Sequence, residues 1–270
     1  MMSEWTDYPP RDGLEHTVAG VMKVLPRVWS PQLENRRDVL VHLPPGYASG
    51  KVRYPVIYMQ DGQNLFDRAT SFAEEWEVDR VMEDAAREGL EAIVVGIPNL
   101  PDGRIDEYSP FRDRKLGGGR ADRYLEFLLD TVKPRVDAAF RTRTERSATG
   151  IFGSSMGGLL SLYAYFRHPQ AFGMAGAMSP ALWFADRAVF PYLSLAPFVP
   201  GRLYLDVGTL EGSAELHDVT RLREALVAKG YRFERDLLCV IDKGGVHAEP
   251  AWGARFPRAL RFLLHGTVGR

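Results

Sequence analysis

From residue 55 onward, short uninterrupted apolar runs alternate with amphipathic stretches. The runs Pro55–Gln60 (VIYM at its centre), Ala92–Ile97, Ala148–Gly153, Phe172–Met178, Arg202–Val207 and Phe233–Ile241 are predicted strands. Continuous rather than alternating apolar sequence belongs to strands that are covered on both faces. The stretches between them predict helices near Glu75–Glu88, Asp122–Ala139, Met156–Arg167, Val219–Lys229 and Ala251–Leu264. Pro134 falls inside the second of these; lacking an N–H, it predicts a kink or a break there. The first fifty residues have a different texture. Thr17–Trp29 and Arg37–Leu43 read as antiparallel strands that stop at Pro44-Pro45-Gly46. An antiparallel start on a parallel body predicts an α/β fold: a mostly parallel central sheet of about eight strands, with helices on both faces. We expect one domain over residues 17–270, preceded by an N-terminal extension over residues 1–16.

Composition narrows the possible functions. The 270 residues carry 34 Lys and Arg against 35 Asp and Glu, a formal net charge of -1. Such a balance gives no broad attraction for nucleic acid or for an anionic membrane. The single cysteine, Cys239, excludes an intrachain disulfide and cysteine-rich metal clusters; packing in the last strand is its expected role. Met1–His16 has no apolar stretch able to serve as a signal peptide. Val189–Val199 is interrupted by Pro191 and Pro197 and is too short to span a bilayer. The expectation is a cytoplasmic protein that needs neither membrane nor nucleic acid.

In open α/β sheets ligands bind beyond the C-terminal ends of the strands, which directs attention to the loops there. These loops are Asp61–Arg68, Ser154–Met156, Thr209–Ser213 and Lys243–Pro250. Gly153-Ser154-Ser155-Met156-Gly157 fits G-x-S-x-G. Chance alone yields such a match roughly one time in ten in a chain this long, so context has to decide. Here the motif follows a strand pattern and opens a helix pattern, as a nucleophile elbow requires. Ser155 is the candidate nucleophile, and the Met156 amide is a candidate oxyanion donor. The competing reading is an ordinary turn in which Ser155 caps the helix.

A serine nucleophile needs a histidine base oriented by a carboxylate, in the chain order Ser, acid, His. Of the six histidines, His217, His247 and His265 follow Ser155 with room for an acid before them. His217 lies only six residues after the best acid candidate, and His265 ends the last helix. His247, in the loop after the final strand, is the expected base. Glu211, just past the LYLDV strand, is favoured as the acid over Asp206, which still lies in the strand pattern. A second oxyanion donor is expected in Met59-Gln60-Asp61-Gly62-Gln63-Asn64. The Gln63 amide is the first choice there and that of Gly62 the second. Trp183, within the aromatic segment Pro180–Gly201, is the expected substrate contact. Trp76, Arg104 and Tyr108 are further candidates for the pocket wall or for plain packing.

RRDVLVHLPPGY, YPVIYMQDGQNLFD, EEWEVD, RIDEYSP, GIFGSSMGG, AMSPALWF, LDVGTLEG and KGGVHAEPAW follow one another in this order. Together they resemble the Putative esterase branch of the α/β hydrolases, which includes esterase D, feruloyl and acetyl-xylan esterases, enterochelin esterases and the mycolyltransferases. The resemblance spans about Thr17 to Leu264. It implies a triad of Ser155, Glu211 and His247 and oxyanion donors at Gln63 and Met156. Members with the same final loop often have Asp where Glu211 stands, and the HGGG form of the oxyanion loop is absent here. The implied activity is a cofactor-free serine carboxylesterase that needs no metal and acts on a small ester of short-chain, aryl or carbohydrate type. An acyltransferase with the same triad and a non-catalytic binding protein on the same fold are the alternatives.

Overall fold

Val56–Gln60 and Ile93–Ile97 are buried along their whole length, as their unbroken apolar sequences require, and they pair in parallel from Val56 opposite Ile93 to Gln60 opposite Ile97. These strands belong to the first of two compact units in the computed structural model, which describes residues 4–9 and 13–265. The first unit takes the described parts of Met1–Leu100, Glu126–Thr144 and Ala248–Arg270; the second takes Pro101–Leu125 and Glu145–His247.

The strands of the first unit are β1 (Thr6–Tyr8), β2 (Val21–Ser30), β3 (Asn35–Leu43), β4 (Val56–Gln60) and β5 (Ile93–Ile97), in the spatial order β1-β2-β3-β5-β4. The pairs β1/β2, β2/β3 and β3/β5 are antiparallel, and only β4/β5 is parallel. A bulge between Leu25 and Val28 interrupts the β2/β3 register, with Arg27 at φ 51°. Bulges of this kind bend a strand and increase its twist.

In the second unit, β6 (Arg112–Asp113) and β7 (Gly117–Gly118) form a small hairpin. The strands β8 (Thr149–Ser154), β9 (Met174–Met178), β10 (Arg202–Gly208) and β11 (Leu237–Asp242) run parallel in sequence order. Helix Met156–Arg167 follows β8 and is buried from Met156 through Phe166. A helix enclosed on all sides needs apolar residues on all sides, which accounts for its weak amphipathic pattern.

The chain is thus an α/β protein whose nine main strands are mostly parallel. The strand beyond the eight expected is β1, only three residues long, drawn from the stretch expected to be an extension. The helix expected over Asp122–Ala139 breaks near Pro134: α-helix Ala121–Glu126 passes through a π-helical turn, Phe127–Val132, into α-helix Lys133–Ala139. Pro134 sits at the start of that last segment, where its missing N–H costs least. Helix Ser213–Lys229 begins six residues before the expected Val219, because its first turns are polar. Strand β11 starts at Leu237 rather than Phe233. Residues 232–236 turn instead, with Glu234 at φ 62° and the Asp236 carboxylate accepting from Arg232 Nε at 2.6 Å. Among the described residues no helix is long and apolar enough to cross a membrane.

Candidate active site

Ser155 holds φ 54° and ψ −120°, a conformation that L-residues rarely adopt and that costs about 1–3 kcal/mol. Three backbone bonds enforce it. The Ser155 N–H donates to the Met178 carbonyl at 2.9 Å, and the Ser155 carbonyl accepts from Leu159 at 3.0 Å and Ala181 at 2.9 Å. Gly158 lets the helix come down onto the segment after β9: a Cβ there would lie 3.1 Å from the Met178 carbonyl oxygen and 3.2 Å from Pro180. Although Ser155 occupies the N-cap position, its hydroxyl makes no capping bond. The turn holds the serine without using its hydroxyl, contrary to the helix-cap alternative. Met156 is the first residue of the helix, where an N–H has no partner four residues back and the helix dipole favours negative charge.

The loops after β10 and β11 are bonded to each other. The Thr209 N–H donates to the Asp242 carbonyl at 2.9 Å, the Leu210 N–H to the Gly245 carbonyl at 3.0 Å, and the Gly244 N–H to Thr209 Oγ1 at 2.9 Å. Gly208 makes the approach possible. A Cβ at this residue would fall 2.2 Å from the Gly245 carbonyl oxygen, so no larger residue fits without moving backbone. Gly244, at φ +81°, supplies the left-handed step in the partner loop.

Bonded in this way, the loops bring Glu211 and His247 together, with His247 Nδ1 2.9 Å from Glu211 Oε2. The other carboxylate oxygen, Oε1, accepts from Ser179 Oγ at 2.7 Å and from the Gly208 N–H at 2.7 Å. The Glu211 side chain is 1% exposed and that of His247 43% exposed. Burial pushes the Glu211 pKa up, but the hydrogen bonds from His247, Ser179 and Gly208 outweigh it and hold the group below its ordinary value. It is therefore ionised at neutral pH.

Asp206, the rival acid, is fully buried and otherwise engaged. Its Oδ1 accepts from the Ser179 N–H at 3.2 Å and its Oδ2 from the Tyr204 hydroxyl at 3.0 Å. His217 and His265 are exposed, one in helix Ser213–Lys229 and the other at the end of the last helix. Trp183 is half-exposed and opens a turn in which Ala185, Asp186 and Arg187 all have φ between 49° and 62°. Arg187 Nε closes that turn, 2.9 Å from both oxygens of the buried Asp218 carboxylate. Trp76 and Tyr108 are core residues: Trp76 packs 5.6 Å from Trp252, and Tyr108 edge-on at 5.3 Å to Tyr124, with Arg104 above its ring. Ser179 is a member of the Glu211 network that the sequence does not announce. It lies in the AMSPALWF segment, but nothing in one sequence shows that its hydroxyl reaches a carboxylate 32 residues away.

Gln63 lies in the first unit, in the 3-10 turn Gly62–Asn64 after β4. Asp61 enters the turn at φ 53°, and a Cβ on Gly62 would fall 2.6 Å from backbone atoms of Gly96 and Ile97. The turn is closed by the Asn64 N–H donating to the Asp61 carbonyl at 2.9 Å, and as a first-turn amide the Gln63 N–H takes no part in that closure. Asn99 fixes the turn from one side: its N–H donates to Gln63 Oε1 at 3.1 Å and its Nδ2 to Asp61 Oδ1 at 2.6 Å.

Comparison with known proteins identifies the family. Residues 30–263 match the model of the family described as Putative esterase. The Bacillus subtilis protein YbbA, itself uncharacterised, is 29% identical over 85% of this chain and 92% of its own length. The siderophore triacetylfusarinine C esterase of Aspergillus fumigatus is 34% identical over 141 residues, which cover 50% of this chain and 47% of that enzyme. Among solved structures, the enterobactin esterase of Shigella flexneri superposes with a TM-score of 0.72 at 18% identity, over 96% of this chain and 62% of that one, a likeness of fold. The chain belongs to the Putative esterase family and is a carboxylic ester hydrolase.

Proposed function

We propose that hydrolysis proceeds through an acyl-enzyme on Ser155, with His247 as general base and Glu211 as the acid that orients it. In this reading Glu211 holds Nδ1, which reserves Nε2 for the serine proton. Ser155 attacks the ester carbonyl and passes its proton to His247, and the Met156 and Gln63 amides stabilise the oxyanion. His247 protonates the departing alcohol, then activates water against the acyl-enzyme. The observation that carries the reading is the 2.9 Å contact between His247 Nδ1 and a buried, ionised Glu211. A carboxylate in that position fixes the imidazole tautomer and stabilises the imidazolium as it forms.

Trp183 is proposed to contact the substrate, a small ester of short-chain, aryl or carbohydrate type. The similarity to an enzyme named for a siderophore ester supports testing iron-chelator esters beside simple ones. Residues 17–270 are read as one α/β hydrolase domain, supported by a family match that runs through both compact units. The test is turnover on a panel of p-nitrophenyl, feruloyl, acetyl-sugar and siderophore esters, with Ser155→Ala as control. Cleavage of at least one by the wild type and of none by the variant is expected; equal cleavage by both would remove Ser155 from the mechanism.

A further inference from the structure

The buried Asp67 carboxylate is saturated with donors. Tyr8 donates its hydroxyl to Oδ2 at 2.7 Å, and His16 Nδ1 lies 2.6 Å from the same oxygen. The backbone N–H groups of Thr17 and Ala69 donate to Oδ1 at 3.3 and 3.1 Å. A carboxylate offers about four acceptor sites, and these four donors occupy them. Burial raises the Asp67 pKa, but the bonds from His16, Tyr8 and the two amides bring it below the ordinary value. Three of the four donors come from the segment ahead of β2, which precedes residue 30, where the family match begins.

From Asp67 the bonding continues to Gln63. The Asp67 carbonyl accepts from the Thr70 N–H at 3.2 Å, from Thr70 Oγ1 at 3.2 Å and from Ser71 Oγ at 2.9 Å. The same two hydroxyls lie 2.9 and 3.4 Å from the Gln63 carbonyl oxygen, so the two carbonyls share their donors. Thr17 adds a second tie: its hydroxyl donates to Glu75 Oε2 at 2.6 Å and accepts the Arg68 N–H at 2.9 Å. Asn99 holds one side of the turn, and Asp67 with the N-terminal segment holds the other.

We infer that Asp67, clamped by Tyr8 and His16, is a positioning residue for the Gln63 amide, which makes the N-terminal segment a working part of the oxyanion loop. The inference rests on the proposed role of Gln63 as an oxyanion donor. Loss of one such donor costs about 100- to 1,000-fold in turnover, and a displacement of about 1 Å can cost about 100-fold.

The test compares the full chain with Tyr8→Phe, which removes one hydroxyl, and with Tyr8→Phe/His16→Gln. Each is assayed on an aryl ester and on its thionoester, whose sulfur is a poor hydrogen-bond acceptor. We expect kcat on the oxygen ester to fall at least about 10-fold in the double variant, with KM within about twofold. The oxygen-to-sulfur rate ratio should move towards one, and Tyr8→Phe should lie between. If the wild type discriminates and both variants keep its kcat and its ratio, the clamp has no positioning role, while the reading of Gln63 stands. If the wild type itself does not discriminate, the oxyanion reading fails and the inference fails with it. A loss that appears only in KM, or only as a lower Tm, also overturns it.

Discussion

Gly208 lies so close to Gly245 that a Cβ on Gly208 would sit 2.2 Å from the Gly245 carbonyl oxygen. Both contacting groups are main chain, so a side chain can be accommodated only by separating the loops after β10 and β11. Those loops carry Glu211 and His247. Gly208→Ala should therefore act on turnover more than on substrate binding. We expect kcat to fall by about 100-fold or more with KM changed only a few-fold, in a protein that still folds. Steady-state kinetics together with circular dichroism check this; wild-type kcat in the folded variant would show that the close approach does not position the pair.

Ser179 donates to the Glu211 oxygen that His247 does not use. Removing that hydroxyl with Ser179→Ala takes away one of the bonds that lower the Glu211 pKa, so the carboxyl should titrate at a higher pH. The sign follows directly. A depressed carboxylate contributes its function above its folded pKa and loses it as pH falls through that value. In Ser179→Ala the acid-side loss of activity should therefore begin at higher pH than in the wild type, with kcat near neutrality down about 10-fold. Superimposable pH–rate profiles would remove Ser179 from the acid's support.

Glu211 and Asp206 occupy different environments, and isosteric amides separate their roles. Glu211→Gln removes the charge beside His247 and should lower kcat by about 100- to 10,000-fold. Asp206→Asn retains an acceptor for either Ser179 or Tyr204, and its effect should be mainly a loss of stability of about 1–3 kcal/mol. A kcat loss larger for Asp206→Asn than for Glu211→Gln would transfer the role of acid to Asp206.

Asp79 is a buried carboxyl in helix Val78–Arg87, where its Oδ2 accepts from the Ala19 N–H. Burial pushes its pKa to about 6, against 3.8 ordinarily. The folded state then binds a proton more readily than the unfolded state, so stability should be greatest below the unfolded value and decline as pH rises from about 4 to about 6. Asp79→Asn keeps the acceptor and removes the charge. It should raise stability at pH 7 by roughly 1–3 kcal/mol and flatten that decline. Denaturant unfolding at pH 4, 5, 6 and 7 measures both.

Much of the fold could be read from the sequence because its strands are continuous apolar runs, and the residues at their C-terminal ends identified the loops to search. The strand–turn–helix setting of Ser155 was visible in the same way. What remained hidden depends on contacts between distant residues. Three-residue β1 is too short to show a period, and the partner that Tyr8 and His16 share, Asp67, lies more than fifty residues away. The run of positive φ values over Ala185–Arg187 includes no glycine or asparagine to announce it and is closed by Asp218, 31 residues further on. Ser179 is an ordinary serine until the fold brings it 2.7 Å from Glu211.

The central claim is that Ser155 is the nucleophile and His247 its base, and it is tested most directly by covalent capture. The wild type, Ser155→Ala and His247→Ala are treated with a fluorophosphonate and analysed by intact mass and peptide mapping. One adduct on Ser155 in the wild type, none in Ser155→Ala and labelling slowed by orders of magnitude in His247→Ala are the predicted results. An adduct on a different residue, or unchanged labelling without His247, would contradict the account.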